Sequence, residues 1–164
     1  MAEKTDRCAL AYQYHRQGCS CAQSVLCAFS DLTGLETAQA MTIAGGFGGG
    51  VGGSHAELCG AVSGGVLVLS LLFPHADSAD TDARRRITAL TKTFRERFLA
   101  AFGHTRCGEL LSARPGVSDK TPAAQRLGIT AHCDLMIVTA VELVEGLLRE
   151  TPFPGPNAQV FSQD

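Results

Sequence analysis

The sequence predicts an all-α fold, a compact single-domain bundle of five to seven helices with a glycine-rich loop. Three observations carry that expectation. Apolar residues recur at spacings of three and four along most of the chain, and no segment alternates β-branched and polar residues with a period of two. Residues that cap and stop helices punctuate the apolar stripes at helical intervals.

The elements follow in order. Lys4 to Gln17 sets Leu10, Ala11 and Tyr14 on one face and meets Gly18, a helix stop. Ser20 and Gln23 have the spacing of a capping box ahead of Val25, Leu26, Phe29 and Leu32, with Gly34 as the stop. Thr37 to Ala44 makes a short helix running into Gly45–Gly53, where seven of nine residues are glycine. A second capping-box pair, Ser54 and Glu57, opens an apolar helix that Pro74 closes. Asp80 or Asp82 begins a long helix striped by Ile87, Leu90, Phe94, Phe98 and Phe102 and ended by Gly103. Thr105 caps a short helix through Leu111, and Pro122 takes a first helical position with Gly128 as its stop. Thr130 caps a final helix carrying Leu135, Ile137, Val141, Val144 and Leu148. The helical domain spans residues 1–150; residues 151–164, with three Pro and a Gly, form an extended tail.

Composition narrows the function classes. A chain of 164 residues with 45% hydrophobic and 18% charged residues can bury one real core. Fourteen basic against sixteen acidic residues leave a net charge of −2, which gives no cationic footprint for nucleic acid. The charged, polar N-terminus lacks the apolar stretch of a secretion signal and reads as cytoplasmic. The most apolar run, Leu58 to Phe73, is sixteen residues, short of the roughly 20 a membrane span needs. No Lys or Arg lies between Arg16 and Arg84, so the glycine-rich centre is either buried or wrapped around something. Six of the fourteen basic residues fall between Arg84 and Arg97 and make a solvated helix face. An exposed glycine surface leaves a homodimer open, and any redox partner is unidentified.

Seven Cys are an odd count for a closed set of disulfides. Four of them, Cys21, Cys59, Cys107 and Cys133, each follow a predicted cap by a turn or less, or by a turn or two for Cys59. Unpaired N–H groups and the helix dipole favour an anion at such positions. A thiolate there can have its pKa lowered into roughly the 3.5–7.5 range, and the thiolate is both the nucleophile and the metal ligand. Cys8 and Cys27 fall in helix interiors and read as packing residues; Cys19 and Cys21 form a C-x-C pair whose side chains need not face each other. There is no C-x-x-C, so any site must be assembled by the fold.

Gly48, Gly50 and Gly53 spell G-x-G-x-x-G, but no strand precedes them and no acidic residue follows at the dinucleotide spacing. Gly48, Gly49, Gly50 and Gly60 are instead expected to bring backbone close to a metal–sulfur site or bound anion. Of the five His, His132 beside Cys133 and His104 near Cys107 can tune a thiolate or replace a ligand, although each also reads as a surface residue.

These residues resemble the C_GCAxxG_C_C family, to which a redox role is assigned. Cys59-Gly60-Ala61-Val62-Ser63-Gly64 matches its CGAxxG signature, Cys21 its first Cys, and Cys107 and Cys133 its last two. Similar modules occur in split-Soret cytochromes c, which hold an iron–sulfur centre; this chain has no haem attachment motif. The resemblance implies a redox role rather than a named reaction, as an oxidoreductase or an electron carrier. Cys21, Cys59, Cys107 and Cys133 are the expected ligands of a [2Fe–2S] or [4Fe–4S] cluster. The alternatives are a metal-free thiol–disulfide protein using two of these thiols and a structural zinc adaptor, which the missing local ligand pair disfavours.

Overall fold

The computed structural model describes residues 4–114 and 121–155. It is all-α, with nine helices among the described residues: α1 (Arg7–Arg16), α2 (Cys21–Ala28), α3 (Ser30–Thr33), α4 (Thr37–Ala44), α5 (Gly60–Leu72), α6 (Thr81–Phe102), α7 (Cys107–Ala113), α8 (Pro122–Arg126) and α9 (His132–Glu150). The count exceeds seven because several elements are a turn or two long. The Ser20 helix, for example, breaks after Ala28 into the single turn of α3, which Gly34 ends at φ +72°.

Several of the anticipated start and stop signals act as such. The Ser20 hydroxyl accepts from the Gln23 N–H while the Gln23 side chain accepts from the Ser20 N–H. Asp80 caps α6 and Gly103 ends it, and Pro122 stands in the first turn of α8. Asp6, not Lys4, starts α1, its carboxylate accepting from the Ala9 N–H. Glu36 and Gln39 form a capping box that opens α4. One pair fails. Ser54 and Glu57 start no helix, because the Ser54 hydroxyl donates to the Gly50 carbonyl and stays folded into the glycine loop. Helix α5 begins six residues later, at Gly60. Thr105 and Thr130 likewise yield the cap positions to Arg106 and Ala131.

The core lies where α2, α5, α6 and α9 meet. Helix α9 is buried along most of its length, from Leu135 through Val141 to Leu148. The α6 stripe buries Leu90, Phe94, Phe98 and Phe102 while its arginines face outward. Each fully buried Leu or Phe contributes about 1.5–3 kcal/mol relative to exposure. Helices α2 and α5 come unusually close at Gly64, where an added Cβ would stand 2.8 Å from Val25 Cβ and 2.9 Å from the Ala22 carbonyl oxygen. At 13 residues, α5 runs about 20 Å. No helix among the described residues is long and apolar enough to cross a membrane. After α9 the chain leaves helix, and Phe153 turns back into the core against Phe73, ring centroids 6.1 Å apart. The remainder of the expected tail, residues 156–164, lies outside the described residues.

Candidate redox site

The four singled-out cysteines occupy helix starts. Cys21 is the first residue of α2, Cys107 the first of α7, and Cys133 the second of α9. Cys59 is itself the N-cap of α5. An antiparallel β-bridge between Leu58 and Arg106 brings two of these starts together. In it the Cys59 N–H donates to the Thr105 carbonyl at 2.8 Å and the Cys107 N–H to the Glu57 carbonyl at 3.0 Å. Each cysteine's own backbone is thus the anchor that sets its position.

All four side chains line one cavity of about 200 Å³, with Gly49, Gly60, His55 and His132 among its other walls. The glycine loop closes over it. An added Cβ at Gly50 would stand 2.8 Å from Cys107 Cβ, and one at Gly60 3.0 Å from Cys21 Cβ. Both glycines are therefore required by close approach to a sulfur-bearing side chain. Gly48 lies against the Ser20 side chain rather than a sulfur, its added Cβ 2.6 Å from Ser20 Cβ. Within the loop, the N–H groups of Gly52, Gly53, His55 and Glu57 donate to the carbonyls of Gly46, Gly48, Gly49 and Gly50. That pairing leaves the N–H groups of Gly48, Gly49 and Gly50 out of the loop's internal bonds.

Burial works against ionisation at all four thiols, and three of them are raised although a helix start by itself favours the thiolate. Cys59 is pushed up to about 11 by burial, although the nearby N–H groups of Ala61 and Val62 pull the other way. Cys107 is raised by burial and by the neighbouring Cys133 charge. Cys21 and Cys133 share a hydrogen bond that splits them. The bond holds Cys21 as the protonated donor, far above the ordinary thiol range, with burial adding to the effect. It lowers Cys133 to about 6, opposed by burial and by Asp134 and assisted by His15 and Arg114. His15, at the end of α1, is paired with Asp134 at 2.6 Å, beside Cys133.

The remaining cysteines stand apart from the cavity. Cys8 and Cys27 are buried in α1 and α2, and Cys19 is half-buried ahead of α2. Burial raises Cys8 well above the thiol range and Cys27 to about 11. His104 is exposed and reaches Glu109 at 3.5 Å instead of the cavity. His132 does line it, and burial lowers its pKa. His55 was not legible as a site residue. Its backbone takes the left-handed φ of +60°, fixed by its N–H to Gly49 and by its carbonyl, which accepts from Gly108 at 2.8 Å. Only its place directly behind the glycine run hinted at this role.

Among the described residues, no three His, Cys, Asp or Glu side chains converge as a site for one metal ion. The four thiols surround a space rather than a point. Their donor type, their position at helix starts and the side-chain-free glycine wall fit an iron–sulfur cluster, whose ligands stand on separate atoms of a polynuclear core.

Residues 19–147, most of the chain, match the family model described as "Putative redox-active protein (C_GCAxxG_C_C)". No curated protein and no solved structure matches the chain.

Proposed function

The chain belongs to the C_GCAxxG_C_C family, and on that premise we propose that its cavity binds an iron–sulfur cluster through Cys21, Cys59, Cys107 and Cys133 for electron transfer or redox sensing. The observation that carries the reading is the shared cavity itself. Four thiols from four distant segments line about 200 Å³, each at or next to a helix start. A bound cluster would supply the one-electron chemistry. The protein's residues would hold it and compensate its negative charge. The N–H groups of Ala61 and Val62 already favour a charged Cys59 sulfur, and those of Gly48 to Gly50 are left over by the loop. Donors of this kind stabilise the more negative, reduced state.

Anaerobic purification with iron and sulfide determination tests the reading directly. A brown protein with stoichiometric iron and sulfide is expected. A colourless protein that stays free of iron after reconstitution with iron and sulfide overturns it.

A second reading is favoured by the hydrogen bond between Cys21 and Cys133. Without a cluster, a Cys133 thiolate would attack one sulfur of a substrate disulfide and expel the other as a thiolate. Cys21, once deprotonated, would then displace the second substrate thiolate and close a Cys21–Cys133 disulfide. Two thiols lost on mild oxidation of iron-free protein, with fragmentation of the cross-linked peptide placing the bond between Cys21 and Cys133, is its signature. Oxidation without that link removes it.

A further inference from the structure

One residue of the cavity wall carries a buried polar atom without a partner. His132 lines the four-cysteine cavity, and its Nδ1 is shut off from solvent with no hydrogen-bond partner among the described residues. A buried imidazole nitrogen left unpaired is destabilising. Such a group in a native fold therefore calls for an explanation, and an absent ligand is one. The other two buried orphans, the hydroxyls of Thr121 and Thr139, belong to residues that do not line this cavity. The orphan that does is a nitrogen, a stronger donor than a thiol and held on the first residue of α9, next to Cys133.

We propose that His132 is a positioning residue whose Nδ1–H donates a hydrogen bond to a sulfur atom of the group bound in the cavity. This inference rests on the cluster reading above. His132 is not a ligand: four thiolates already complete the set, and the imidazole acts through the hydrogen bond alone. Sulfur bonded to iron carries negative charge that increases on reduction. A donor aimed at it strengthens in the reduced state and raises the reduction potential. The same bond satisfies the nitrogen, so loading the cavity removes the polar deficit. His55 differs in kind. It is exposed at the rim and fixed through its backbone.

The test compares wild type, His132→Leu, His132→Ala and His132→Asn, each loaded with iron and sulfide. Leu and Ala remove the donor, whereas Asn keeps an N–H near the position of Nδ1. Iron and sulfide per chain are expected to be equal in all four. The midpoint potential is expected to fall in the Leu and Ala proteins and to be restored by Asn. The fall corresponds to up to about tenfold in the reduction equilibrium, which is about 59 mV for one electron. A strongly coupled exchangeable proton, seen by magnetic resonance of the reduced wild-type cluster, is expected to vanish with Leu or Ala. Should Leu fail to fold, Ala carries the comparison. An unchanged potential with full iron overturns the proposal alone. Loss of iron in all three variants makes His132 a ligand and also overturns it. An iron-free wild type removes the cluster reading and this inference together.

Discussion

Cys59 and Cys27 are both buried thiols, 5% and 0% exposed, and burial pushes both up to about 11. What separates them is the kind of group each sulfur meets. At the start of α5, Cys59 has the N–H groups of Ala61 and Val62 nearby, and they favour its charged form. In the body of α2, the Cys27 thiol faces the Thr37 carbonyl at 4.0 Å. Cys8 behaves like Cys27, its sulfur 3.8 Å from the Val138 carbonyl. Carbonyls suit a neutral thiol that donates, and N–H groups suit a sulfur that carries charge. Burial does not distinguish a core cysteine from one that lines the cavity; the polarity of the surrounding backbone does.

The largest effect that can break this comparison is loss of iron. Cys59→Ser is expected to abolish iron binding while leaving the helical circular dichroism unchanged. Cys27→Ser is expected to keep full iron and to lower stability by about 1–3 kcal/mol, because a hydroxyl replaces a thiol in the core. Iron retained in the first and lost in the second would reverse the assignment of the two cysteines.

A pair of glycine substitutions separates the two regions on a smaller scale. Gly64→Val crowds Val25 and Ala22 at the α2–α5 crossing, and overpacking is expected to cost about 1–3 kcal/mol in denaturant melts with iron retained. Gly50→Val meets the Cys107 side chain from a backbone at φ +70°. It is expected to lose iron, since relief of the clash must move either the loop or the sulfur.

In iron-free protein the two regions also differ in pH response. Cys133 is lowered to about 6, so its thiolate forms as pH rises through that value. Its alkylation rate is expected to climb between about pH 5 and 7 and then level off. Cys21→Ala removes the donor and is expected to shift the midpoint upward. Cys8 and Cys27 are expected to remain unreactive over the same range, because burial raises both. A Cys133 profile that levels off only well above pH 8 would contradict the donor role of Cys21.

The smallest effect is expected at the cap. Ser20→Ala removes the hydroxyl that accepts from Gln23 and costs about 1 kcal/mol, read as a lower denaturant midpoint. If the start of α2 positions Cys21, iron is also released faster to a chelator from this variant than from Gly64→Val.

Much of the scaffold was legible because its signals are local. The Ser20–Gln23 box, the α6 stripe, Gly103 and Pro122 act within a few residues of themselves, and the structure uses them as read. The start of α5 was not. Ser54 and Glu57 have the spacing of a box, yet the loop takes the Ser54 hydroxyl for its own Gly50 carbonyl. A capping pattern cannot show that a competing acceptor lies four residues back on a folded loop. The error was harmless for Cys59, which moved from the first turns of the helix to its cap. The ionisation of the four thiols was misread for a different reason. Helix starts favour anions, but the desolvation that opposes ionisation at all four, and the contact that raises Cys21, exist only once the chain has folded around them.

The sequence by itself determined the all-α class, most helix limits and the membership of the four-cysteine set, since capping chemistry, apolar spacing and a signature motif are properties of short segments. The tertiary structure alone decided that these four sulfurs share one cavity. The bridge between Leu58 and Arg106 joins residues far apart in the chain, and its geometry follows from packing that no local pattern encodes. Tertiary structure also separated His132 from His104, which looked alike in sequence. One nitrogen is buried without a partner in the cavity wall, and the other ring is exposed beside Glu109. The reason is physical: burial and hydrogen-bond satisfaction depend on what the rest of the chain brings to a residue.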